Sequence, residues 1–158
     1  MSQLQRAIES ALQSALKQRD ALKLSVYRLL SAAIHNREIE KRTASGGGSA
    51  VALTEEEIVA VVRSESKKRR DAIEAYRAAG RSAASEREQA EADILASLLP
   101  KDLSDEELVR MVSQGKAALG VNSPKDFGKL MGWVMERVKG QAEGERVRKI
   151  IQQHLSSA

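Results

Sequence analysis

The chain has 158 residues, 42% hydrophobic but only 3% aromatic, with 30% charged and a formal net charge of +4. That length allows one ordinary domain or two small ones, and apolar residues drawn from Ala, Leu, Ile and Val favour packed helices over sheets. The absence of Cys excludes disulfides, thiolate metal sites and cysteine nucleophiles; no apolar run nears the ~20 residues of a membrane span and no secretory signal layout is present, so a cytoplasmic protein without a membrane partner is expected.

Leu4, Ala7, Ile8, Ala11, Leu12, Ala15 and Leu16 recur at three- and four-residue steps, which predicts an amphipathic first helix ending near Arg19 and Asp20. A second helix is expected over about 21–42, burying Leu22, Val26, Leu29, Leu30 and Ala33. It turns polar from His35 onward, and that tail is expected to project beyond the core. Residues 43–52, with Gly46, Gly47 and Gly48, read as a linker. They lack the Gly-Lys-Ser/Thr that a phosphate-cradling loop requires.

Thr54 and Glu57 spell a capping box that opens a long third helix, closed by Gly80. Its apolar stripe of Ile58, Val61, Val62, Ile73 and Tyr76 is interrupted by RSESKKRRD at 63–71. Glu65 and Arg69 fall on the line joining Val62 to Ile73, so they face inward or toward a neighbour, can pair with each other at four-residue spacing, and are candidates for a partner contact. Lys67, Lys68 and Arg70 form either a solvated face or a basic patch.

Ser82 is placed as the cap of a fourth helix running to about Leu99, with Ala90, Ile94, Leu95 and Leu98 inward. Pro100 disfavours helix at the residue before it and marks a boundary at 99–102. Ser104 and Glu107 form a second capping box, and the fifth helix should bury Leu108, Met111, Val112 and Leu119 before stopping at Gly120. Ser123-Pro124 opens the sixth helix, with Phe127, Leu130, Met131, Val134 and Val138 as its core stripe and Gly140 as its end. After the turn at 141–144 a last helix buries Val147, Ile150, Ile151 and Leu155. The expected fold is all-α: a four-helix N-terminal lobe over 1–99 followed by a small three-helix C-terminal lobe over 100–158.

No catalytic constellation emerges. His35 and His154 fall in different lobes without ligand spacing, so neither metal nor cofactor is expected. The acidic runs 55–57 and 105–107 sit in first helical turns, where the backbone dipole favours negative charge. Asp126-Phe127-Gly128 repeats a kinase metal-binding triplet without its companion motifs.

The unusual residues gather at 123–147. Gly128 and Gly132 each cost about 1 kcal/mol relative to alanine inside a helix, which calls either for a close-packed helix or for close approach of a nucleic-acid backbone. Trp133 lies one turn from Lys129 and one turn from Arg137. It reads either as a stacking surface flanked by phosphate contacts or as a Trp packed against the first lobe. Lys139, Arg146 and Lys149 extend the basic surface across the turn at Gly140.

Four blocks, RLLSAAIHNREIEKR at 28–42, LTEEEIVAVVRSESKKRRDAIEAYRAAGR at 53–81, LLPKDLSDEEL at 98–108 and KDFGKLMGWVMERVKGQAEGERV at 125–147, resemble the YqeY-like family. The C-terminal half of that family is related to the tail domain of the B subunit of tRNA-dependent amidotransferases. The resemblance implies a helical N-terminal lobe and a three-helix C-terminal lobe similar to the part of those enzymes that grips tRNA. The family pattern falls on Gly128, Met131, Gly132, Met135, Lys139, Gly140, Ala142 and Gly144, and departs at Trp133 and Gln141. It implies a stand-alone, non-catalytic tRNA-binding or accessory protein, with tRNA and an amidotransferase or tRNA synthetase as partners. The alternative is a protein-interaction module that docks through Glu65 and Arg69. Amide transfer would need a nucleophile that the sequence does not offer.

Overall fold

A computed structural model describes residues 1–47 and 51–156, and the described residues form seven α-helices and one 3-10 turn, without a strand. Gly48, Ser49 and Ala50 of the expected linker lie outside the described residues. The chain divides into two compact units, Met1–Leu99 and Pro100–Ala158.

In the first unit α1 (Gln3–Gln18), α2 (Ala21–Ala44), α3 (Glu55–Ala78) and α4 (Ser82–Ala96) pack together. The Ser2 hydroxyl caps α1 by accepting the Gln5 N–H, and Asp20 caps α2 by accepting the Lys23 N–H. Between them Arg19 adopts a left-handed conformation, φ 55°, which reverses the chain. Ile8, Val26, Leu30, Ile58, Val62 and Leu95 form the buried centre. Each such side chain contributes roughly 1.5–3 kcal/mol on full burial.

Three expectations change here. Leu29 is 49% exposed and Leu16 50% exposed. The α2 stripe runs through Val26, Tyr27, Leu30 and Ile34, and at 3.6 residues per turn Leu29 falls outside that arc. Leu16 stands in the last turn of α1 beside the reversal. Ser82 is the first residue of α4, whose N-cap is Arg81 with no side-chain bond.

The polar tail of α2 does not project freely either. Glu38 accepts from Gln5 Nε2 at 3.1 Å, and Lys41 Nζ donates to Glu57 Oε2 at 2.6 Å and to the Ala52 carbonyl at 3.2 Å. Glu57 also closes the capping box with Thr54. One carboxylate thus joins the last turns of α2 to the start of α3.

That carboxylate supplies a pH prediction. The Lys41 hydrogen bond, with the Thr54 N–H behind it, holds the Glu57 carboxyl below its ordinary value of 4.5, against a smaller opposing effect of burial. A depressed folded pKa means that the stabilisation is fully present above the unfolded value and is lost as pH falls through the folded one. Thermal melts of wild type and Glu57→Gln should therefore differ at neutral pH and converge below pH 4.5. A constant difference down to strongly acidic pH would rule out this linkage.

Between α3 and α4 lies a polar seam, where Ser66, Ser85 and Glu91 are all buried. Arg69 Nη1 stands 3.1 Å from Glu88 Oε2 and 3.0 Å from Glu91 Oε2, and Arg87 Nε stands 3.5 Å from the other Glu91 oxygen. The expected Glu65–Arg69 pair is not formed. Glu65 instead accepts from Lys68 at 2.6 Å, because Arg69 is drawn across the seam by two carboxylates.

In the second unit α5 (Asp105–Leu119), the 3-10 turn Pro124–Asp126, α6 (Phe127–Val138) and α7 (Gly144–Ser156) surround a core that includes Leu108, Val112, Leu130, Val134, Val147 and Ile151. Leu119, expected inside, is 39% exposed. The turn at Gly120 carries Val121 back so that its N–H reaches the Lys116 carbonyl at 3.1 Å, and Val121 enters the core in its place.

Candidate nucleic-acid interface

The segment 123–147 is built from a local stop and start at each end. The Ser123 hydroxyl accepts the Lys125 N–H at 3.3 Å over the 3-10 turn, and Pro124 occupies the first-turn position where a missing donor costs nothing. At the other end α6 stops two residues before the expected Gly140. Lys139 takes a left-handed conformation with φ 47°, and Gly140 follows at 76°. For a residue with a side chain that conformation costs roughly 1–2 kcal/mol, which the buried residues on both sides hold in place: Val138 and Ala142 are both in the core.

α6 turns Leu130, Val134 and Val138 inward. Gly128, Lys129, Gly132, Met135 and Glu136 are exposed. A Cβ built at Gly128 or Gly132 would meet nothing within 4 Å, so no described part of their own unit packs against these glycines. Of their two expected explanations, the close-packed neighbouring helix is absent among the described residues of this unit, within which the α6 backbone lies open along this face.

The close packing is found instead at Gly115, whose place inside α5 is the only local signal of it. A Cβ on Gly115 of α5 would lie 2.7 Å from Trp133 Cε3 and 2.8 Å from Leu130 Cδ1. Trp133 is half-buried and packed on the core of its own unit, fitting against α5 where a side chain is missing. Its ring is also covered: the Arg137 guanidinium carbon stands 3.7 Å from the ring centroid, while Nη1 donates to the Trp133 carbonyl at 3.0 Å. The ring is therefore not the open stacking surface that its spacing between Lys129 and Arg137 suggested.

Arg146 is likewise engaged. Its Nε donates to Asp105 Oδ1 at 2.7 Å and its Nη2 to the Leu103 carbonyl at 2.6 Å. The Leu103 N–H in turn reaches the Gln141 carbonyl at 2.7 Å, and Gln141 Nε2 the Lys101 carbonyl at 3.3 Å. Arg146 and Gln141 thus strap the strand of chain entering α5 onto the α6–α7 turn, which is a structural task.

Lys129, Lys139 and Lys149 remain. All three are exposed, and their ammonium groups carry no ion pair or hydrogen bond among the described residues. They stand on α6, on the turn and on α7, and no contact joins them. In the first unit the two residues proposed for a partner contact are spoken for, Arg69 by Glu88 and Glu91 and Glu65 by Lys68. No group of three or more His, Cys, Asp or Glu side chains that could hold a metal occurs among the described residues. No described helix is long and apolar enough to cross a membrane.

A protein-family model described as Yqey-like protein matches residues 5–155. Comparison with curated proteins produced no match.

Proposed function

Because the chain belongs to the YqeY-like family, we propose that it is a stand-alone, non-catalytic tRNA-binding or accessory protein whose 100–158 unit acts as a separate RNA-binding domain. An amidotransferase or a tRNA synthetase is the kind of enzyme it would serve, in the cytoplasm. The relation of the family's C-terminal half to the amidotransferase tail domain supplies the choice of tRNA. The observation that carries the reading is the set of three unpaired lysines, Lys129, Lys139 and Lys149, with the open backbone at Gly128 and Gly132 on the same helix as the first. Phosphate contacts of this kind supply affinity without sequence information and make it fall steeply with salt.

The test is a charge reversal confined to these lysines. Arg146 is left alone, since reversing it would break its bonds to Asp105 and Leu103. Lys129→Glu, Lys139→Glu and Lys149→Glu together should weaken tRNA binding at low salt by at least about a hundredfold. Each single Lys→Ala change should reduce the log–log salt slope by about one. A triple variant that keeps its helical circular dichroism and binds tRNA as tightly as wild type would refute the reading.

A further inference from the structure

RNA-binding surfaces that read single strands splay the bases out and stack them on aromatic faces, a contact that duplex RNA, with its bases already stacked, does not make. The aromatic side chains of the second unit, Phe127 and Trp133, are both packed against its core. Trp133 lies one turn from Lys129 on the same helix. What stands over its ring is Arg137, at 3.7 Å from the centroid. The guanidinium is anchored to the Trp133 carbonyl and lies 3.7 Å from Glu136 Oε2, so it is held on the ring by its own helix. A cation over an indole face is attractive in itself, and a base must displace it before it can stack.

We infer that Arg137 is a specificity-determining residue: it closes the Trp133 face to nucleobases and so restricts the proposed interface to the phosphate backbone of paired RNA. The inference rests on the RNA-binding reading above. Lysines act as point charges on phosphates, which suits a backbone-only contact, and the open α6 glycines allow that backbone to come close.

Arg137→Ala separates this role from a simple phosphate contact, because the two predict opposite signs. Loss of a cation alone weakens binding to every RNA. Opening the ring should instead raise affinity for a single-stranded oligoribonucleotide about fivefold or more, with quenching of Trp133 fluorescence that wild type does not show. Affinity for an RNA hairpin duplex of equal length should hold or fall slightly. The side chain of Arg137 is 45% exposed, so the variant should fold; Arg137→Met serves as a second variant that keeps the side-chain bulk while removing the charge, and should give an intermediate gain. Weaker binding to both RNAs, no change in either, or quenching of the wild-type Trp by single strands would overturn the role of Arg137 while leaving lysine-dependent tRNA binding intact. If neither RNA binds wild type or variant, the RNA-binding reading itself falls, and this inference with it.

Discussion

Replacing Arg69 with alanine should destabilise the first unit by about 3 kcal/mol, the low end of the range for removing one partner of a buried ion pair. Glu91 is only 4% exposed, and without Arg69 its remaining cation is Arg87, whose own side chain is 71% exposed and 3.5 Å away. Arg69 itself is imperfectly satisfied: its Nε has no hydrogen-bond partner, and Glu91 Oε2, though 3.0 Å from Nη1, is not aligned to accept from it. The pair is thus costly to desolvate and costlier still to break. Arg69→Met combined with Glu91→Leu should recover most of the loss, because apolar groups of similar size fill a helix–helix seam without any charge to solvate. Urea denaturation followed by circular dichroism measures both variants. The single Trp lies in the other unit, so its fluorescence provides a control transition. An Arg69→Ala midpoint within experimental error of wild type would show that Glu91 finds solvent without its partner.

The same seam shows what sequence could and could not supply. That Glu65 and Arg69 interrupt an apolar stripe is a local property of α3, legible from 3.6-residue periodicity. Arg69's partners, Glu88 and Glu91, lie about twenty residues on, and only the folding-back of α4 brings them across. The capping boxes at Thr54–Glu57 and Ser104–Glu107 are present as expected, since both partners lie within one turn. Helix ends followed local chemistry to within a few residues. α6 stops at Val138, two residues before Gly140, because Lys139 already takes the left-handed conformation usually left to glycine.

At the candidate interface the residue types were legible and their engagement was not. Arg137 lies four residues after Trp133, so a stack between them could have been read from spacing alone. The bonds from Arg146 to Asp105 and Leu103 span about forty residues and have no local signature. Gly115 was the miss with a usable signal. Gly115, like Gly128 and Gly132, is an interior helical glycine that costs helix stability without a compensating contact, and it is at Gly115 that the chain makes the close contact.

Gly115→Val should accordingly destabilise the second unit by about 3 kcal/mol, the upper end of the usual cost of overpacking. Even the first added carbon would stand 2.7 Å and 3.1 Å from the rigid Trp133 ring and 2.8 Å from a methyl of fully buried Leu130. Gly115→Ala isolates that first carbon, and its expected loss is smaller, about 1 kcal/mol, because alanine's better helix propensity offsets part of the clash. Both changes should also push the indole outward from beneath Arg137, so Trp emission should shift to the red and acrylamide quenching should rise before any unfolding. Trp133→Phe should rescue Gly115→Ala, giving a favourable coupling in a double-mutant cycle measured by circular dichroism. If Gly115→Ala is more stable than wild type and its Trp emission is unmoved, the ring has room to yield, and the notch at Gly115 is not what positions Trp133 under Arg137.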